Sequence, residues 1–227
     1  MSIIKPYTFY PKQIIEEKAN QLLTQAKNDN YPLNWGAGIT HHLLDVLDLN
    51  TLWEIIPNDN QGQIVAKIEP SKRLITLNEN ISELKNNKGF QQSTIAHEIG
   101  HWELHINQDE GDGLIQQLEL SLNSLTEEKS FLCRVTGEEN IHKIKLKIQD
   151  DRREWQAQYF AGCLLMPDYK LHECRKGRDL TIWKHLYAIA DELCVTISNL
   201  IYRLQNLGWI YITKGSKQIY KGPKYIS

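Results

Sequence analysis

The chain has 227 residues, 41% of them hydrophobic and 24% charged, with a formal net charge of -2. That balance excludes a disordered polymer and gives no global pull toward nucleic acid, while the length allows a substantial core plus a small appendage. The opening MSIIKPYTFYPK lacks the apolar stretch of a signal peptide and no run reaches the length of a membrane span, so a cytoplasmic protein is expected, its four scattered cysteines reduced.

Pro11 opens a run in which Ile15, Ala19, Leu22, Leu23 and Ala26 recur at helical spacing, and a shorter helix follows on Ile39, Leu43, Leu44 and Leu47. LWEIIP, QIVAKIE and RLITLNE, broken by NDNQG and PSK, are β-rich and predict a small antiparallel sheet. The stretch STIAHEIGHWELH, residues 93–105, then reads as a helix. Between residues 107 and 150, DEGDG reads as a turn or lid hinge and LIQQLELSLNSL as a helix, while KSFLCRV with HKIKLKI predicts a hairpin that alternates Ile144, Leu146 and Ile148. DDRREWQAQYFAGCLLMP is a further helix, stopped by Pro167. After it the sequence predicts helix, turn, helix and two short strands, with no internal repeat.

Chemistry concentrates in residues 93–105. His97 and His101 are four apart, so on a helix both imidazoles leave the same face about one turn apart and can share a metal ion. Glu98 lies about 100° further round, where a carboxylate reaches a water at the metal without becoming a ligand. Ile95, Ile99, Trp102 and Ile106 fall on the opposite side, which predicts a helix buried on one face and active on the other. Composition alone yields roughly 0.02 accidental HExxH matches in such a chain, so chance is a weak competitor. A structural zinc is weaker still, because Cys133, Cys163, Cys174 and Cys194 form no close pair. Cys133 reads as a packed cysteine, with zinc contact in a latent form as its alternative.

Two histidines leave the ligand set one short. His105 is eight residues beyond His97, about 12 Å along a helix axis, too far for both to bind one ion; it reads as a residue that supports or packs against a ligand. In the later helix Glu154, Gln158, Ala161 and Leu165 recur at i, i+4, i+7, i+11 beside Ala157, a face small enough for another helix to come close. Glu154 is therefore a candidate third ligand, with Asp150, Asp151 and His142 as rivals and a plain surface glutamate as the alternative.

IAHEIGHWELH followed by EWQAQYFAGCLLMP resembles the ImmA/IrrE family of zinc metallo-endopeptidases, which carry an HE(I/L)GH helix and a later E-x-x-A-N/D-x-F-A-x-x-LLMP helix. The resemblance extends to YPLNWGAGITHHLLDVLDL and QIVAKIEPSKRLITLNENI, and so covers about residues 12–210. It implies an α+β fold with a zincin-like peptidase core, in which an HExxH helix, a small antiparallel sheet and a second ligand-bearing helix occupy residues 1–167. By the resemblance His97 and His101 are metal ligands, Glu98 is the catalytic glutamate and Glu154 the third ligand. Gln158 stands where the family often has Asn or Asp, and the segment between the two helices is long, which bears on the cover of the cleft.

Residues 168–227 form the remaining unit, a helical subdomain in which VTISNLIYRLQNLGWI is similar to a helix-turn-helix second helix, with a winged helix-turn-helix as the fuller reading. Lys214, Lys217, Lys221 and Lys224 make DNA contact a weak signal; a solvated tail on a subdomain packed through Leu200, Leu204 and Leu207 is preferred. The expected activity is zinc-dependent peptide hydrolysis, with manganese as the alternative ion, Glu98 as general base, and His105 or Tyr159 as candidates to stabilise the oxyanion. By resemblance the substrate is a helix-turn-helix transcriptional repressor. The competing classes are a metal-containing regulator that binds DNA or a repressor, and a toxin-antitoxin partner acting by binding.

Overall fold

The structure, a computed structural model, describes residues 3–31, 33–36, 38–58, 62–108, 131–134, 150–213 and 215–224. Helix α1 spans Lys12–Asn28 and buries Ile15, Ala19, Leu22, Leu23 and Ala26, the stripe predicted from their spacing. α2, Ile39–Leu47, ends at Asp48 in the left-handed region with φ 51°. Strands β1 (Asn50–Glu54), β2 (Ile64–Glu69) and β3 (Leu74–Asn78) follow, then a short helix α3 (Ser82–Asn86).

α4 runs Lys88–His105, and the Asn87 side chain caps it by accepting from the Phe90 amide at 3.0 Å. β4 is Phe131–Arg134; α5 is Asp150–Leu165, stopped by Pro167 as predicted, and α6 is Asp168–Cys174. α7 (Trp183–Leu193) and α8 (Ile197–Leu207) lead to the hairpin of β5 (Ile210–Ile212) and β6 (Ile219–Lys221). Thr196 caps α8, and Gly208 ends it at φ 75°.

The main sheet has the order β1-β3-β2-β4. It is mixed, not the antiparallel sheet expected, because β1 runs parallel to β3 while β2 is antiparallel to β3 and β4. Asn78 shows how this is held. Its buried side-chain amide donates to the carbonyls of Ile56 at 3.0 Å and Ile64 at 2.6 Å, and its Oδ1 accepts from the Ile56 amide at 3.3 Å. The chain leaving β1 is thereby tied to the end of β3, so the two strands finish on the same side and β1 lies parallel. β4 joins β2; its expected partner HKIKLKI, the DEGDG turn and the LIQQLELSLNSL helix lie outside the described residues.

One apolar cluster runs from Ile15 on α1 through the sheet and α4 to Leu186, Leu204 and Ile219. α4 lies at its centre and is buried all round. Ile95, Ile99 and Trp102 face the core as predicted, but His97, Glu98, His101 and His105 are no more than 5% exposed. The expected open face is absent because α5 packs across it. No helix among the described residues is long and apolar enough to cross a membrane.

Candidate metal centre

α4 and α5 touch at Gly100. A methyl group there would lie 2.9 Å from both Cα and O of Ala157, so any side chain would force the helices apart. This close approach brings Glu154, one turn before Ala157 and Gln158, up to the histidines of α4.

Three groups then converge. His97 Nε2 is 2.9 Å from one carboxylate oxygen of Glu154 and 3.1 Å from His101 Nε2, which is itself 3.2 Å from the other Glu154 oxygen. Ligand atoms set tetrahedrally about 2.1 Å from one zinc stand about 3.4 Å apart, so this triangle fits a shared ion with only slight expansion. Among the described residues it is the one cluster of His, Cys, Asp and Glu with metal-ligand spacing.

Glu98 stands beside the triangle without closing it. Its side chain is fully buried, and neither oxygen has a hydrogen-bond partner among the described residues. Buried polar atoms are almost always partnered, and an orphaned carboxylate marks a place where water or substrate is to be bound. The donor set and this orphan together fit a hydrolytic divalent-metal site.

Electrostatics separates the groups. Burial pushes the Glu98 carboxyl up to about 8, with the neighbouring His97 opposing the rise and Glu154 reinforcing it. Burial also works against a charge on His97, but hydrogen bonding and attraction from Glu154, together with Glu98, outweigh it and raise that imidazole. His101 is lowered because burial prevails over the pull of Glu154. Glu154 resists the effect of its own burial and is held well below the usual carboxylate range by His101 and His97. One carboxyl is thus fixed as a charged anchor while its neighbour is poised to carry a proton near neutrality.

Of the other residues singled out from sequence, His105 lies behind His101, its Nδ1 3.0 Å from His101 Nδ1, and burial lowers it to about 3. Gln158 lies near His97 and favours its charged form. Tyr159 is placed differently: its hydroxyl accepts from Arg203 at 3.5 Å, and its ring stacks on Trp155. The side chains of Cys133, Asp150 and Asp151, and all of His142, lie outside the described residues. Two residues that spacing did not single out contact His105 and Tyr159. Gln156 meets His105, with no sequence signal to announce it; Arg203 was readable in principle, since it shares the buried face of α8 with Leu200 and Leu204.

The family model Peptidase_M78, described as the IrrE N-terminal-like domain, matches residues 58–205, more than half of the chain and inclusive of His97, Glu98, His101 and Glu154. The chain belongs to this family. Its members are metallopeptidases, in agreement with the ImmA/IrrE resemblance and with the zincin-like α+β core. No curated protein matches the chain significantly. Residues 1–57, which include α1, α2 and β1, and the chain after residue 205, with the β5–β6 hairpin, fall outside the family match.

Proposed function

We propose that the protein is a cytoplasmic zinc-dependent endopeptidase that cuts a helix-turn-helix transcriptional repressor. His97, His101 and Glu154 hold the ion, and residues 168–227 form an appended helical subdomain. The observation that carries the hydrolytic reading is the Glu98 carboxylate, buried and without a hydrogen-bond partner among the described residues, beside three convergent ligands. The repressor substrate rests on the family resemblance. When bound in that triangle, a divalent ion would supply an electrophile for the scissile carbonyl and lower the pKa of a water beside it.

The protein's own part is proton traffic and orientation. Glu98 takes a proton from the attacking water as the carbon–oxygen bond forms, and returns it to the amine nitrogen as the carbon–nitrogen bond breaks. Burial raises this carboxyl above its ordinary range, which favours its keeping the proton between the two steps. Glu154 remains ionised throughout and balances the positive charge of the centre. A metal-containing regulator acting only by binding has no use for a base in this position.

The test mixes wild type, Glu98→Gln and His97→Ala with the repressor encoded nearby and follows cleavage by mass spectrometry alongside metal content. Wild type should cut. Glu98→Gln should keep its ion, still bind the repressor and lose about 10² to 10⁴ in rate, while His97→Ala should lose ion and cleavage together. A wild type that binds the repressor and releases its operator, yet leaves the chain uncut with zinc and with manganese, would overturn the endopeptidase reading in favour of the binding one.

A further inference from the structure

The face of His101 turned away from Glu154 is held by a chain of hydrogen bonds that begins in the N-terminal segment, outside the family match. Residues 3–8 lie along the end of α4. The Asn107 amide donates to the Ile3 carbonyl at 2.8 Å, the Lys5 amide donates to the His105 carbonyl at 2.8 Å, and Arg153 Nη2 donates to the Lys5 carbonyl at 3.1 Å. Gln156 Nε2 then donates to the Thr8 carbonyl at 3.1 Å.

That last contact sets the direction of everything behind it. A carbonyl only accepts, so Gln156 must turn its NH₂ to Thr8 and its Oε1 to His105, 3.0 Å from Nε2. The amide oxygen also only accepts, so His105 carries its proton on Nε2. Burial disfavours an imidazolium in this 3% exposed pocket, and the neutral ring, protonated on Nε2, leaves a lone pair on Nδ1. His101 Nδ1, 3.0 Å away, must be the donor to it. That leaves Nε2 as the His101 nitrogen turned to His97 and Glu154. Turning the Gln156 amide over would reverse each donor in the series and put a proton on the nitrogen that has to bind the ion.

We propose that Gln156 and His105 are positioning residues, oriented by the backbone carbonyl of Thr8, which hold His101 with its Nδ1–H turned to His105 and its Nε2 aimed at the metal-binding triangle. The proposal rests on the reading of His97, His101 and Glu154 as ligands. It makes the N-terminal segment part of the metal centre, although that segment supplies no ligand. Groups that orient a metal-binding histidine through its other nitrogen typically change metal affinity 10- to 100-fold when removed.

The experiment uses the full-length protein labelled with ¹⁵N-histidine, before and after titration with zinc. Long-range proton–nitrogen spectra read the tautomers directly. In wild type before zinc is added, His101 should be protonated on Nδ1 and His105 on Nε2; the opposite tautomer at either ring overturns the proposal without any variant. Gln156→Leu removes the acceptor and should mix the tautomers and weaken zinc binding about 10- to 100-fold, read by competition with a chromophoric chelator. If Gln156→Leu, folded by circular dichroism, keeps both tautomers and binds zinc within about twofold of wild type, the two residues only fill space. His97→Ala, run in parallel, isolates the underlying reading: unchanged zinc binding there would overturn the triangle itself, whereas normal loss there with an unchanged Gln156→Leu would overturn only the relay.

Discussion

Two polar clusters are buried in this molecule, and they are built on opposite principles. Around Arg203 every group is satisfied. Its guanidinium, 2% exposed, donates to the Met166 carbonyl at 3.1 Å, to Cys163 Sγ at 3.3 Å and to the Tyr159 hydroxyl at 3.5 Å, and it pairs with the Glu16 carboxylate. Those bonds tie α8 to α1 and α5. Around Glu98 the opposite holds: two histidines and Glu154 converge, and a second carboxylate beside them is left with no partner among the described residues. A closed network spends its hydrogen bonds on the fold, whereas an open one holds polar groups ready for something not yet bound.

The sharpest way to break this contrast is to titrate it. In chelator-treated protein the Glu98 carboxyl has a folded-state pKa of about 8 against 4.5 when unfolded. The folded chain therefore binds more protons between those values, and stability contributed by this group falls as pH rises through the window. Below 4.5 both states are protonated and the contribution is complete; above 8 it is gone. Glu98→Gln removes the titration, so its stability advantage over wild type should grow from pH 4.5 to 8, with a ceiling of about 5 kcal/mol at about 1.4 kcal/mol per unit. Urea unfolding at a series of pH values measures it. A difference that stays flat would mean that Glu98 is already partnered, and the open cluster would be no more open than the closed one.

Arg203→Met should act in the other direction. It leaves Glu16 without its cation and the Met166 carbonyl without a donor, a loss of about 2–4 kcal/mol once the partial exposure of Glu16 is allowed for. Zinc affinity should stay within about twofold, because none of the bonds to Arg203 involves the histidine triangle. Equilibrium unfolding and chelator competition on the same preparation give both numbers. A large loss of zinc binding would show that the two clusters are one.

How much of either cluster could be read beforehand follows from the range of the interactions. His97, Glu98 and His101 are set by one helix and its 3.6-residue turn, so local periodicity suffices. Glu154 came within reach because small residues beside it announced a close helix contact, and the family resemblance then singled it out. The parallel placement of β1 depends on Asn78 gripping chain at Ile56 and Ile64, and no pattern within β1 records that. The Gln156 contact with Thr8 spans 148 positions of sequence and one end of it is a backbone atom, which leaves no side-chain signature. Burial of the histidine face of α4 is absent from the local pattern for the same reason: the apolar stripe describes what α4 offers to the core, whereas the arrival of α5 on the other side is a tertiary event.

The smallest effects come from one glycine in each region. Gly100 faces the Ala157 backbone, where a Cβ would meet rigid main-chain atoms at 2.9 Å; Gly162 lies within the same helix as Ala157, but a Cβ there would meet only the Arg203 side chain at 3.9 Å, an ordinary contact. Alanine is the better helix former by about 1 kcal/mol at either position, so propensity alone predicts the same gain twice. Packing decides otherwise. Gly100→Ala has to push α5 away from α4, which costs about 1–3 kcal/mol and draws Glu154 back from the histidines, so stability and zinc affinity should fall together. Gly162→Ala should be neutral or gain up to about 1 kcal/mol, with zinc binding unchanged. Thermal unfolding and chelator titration of the two variants give the comparison. Should Gly100→Ala be as well tolerated as Gly162→Ala, the close crossing of α4 and α5 would not be what carries Glu154 to the metal centre.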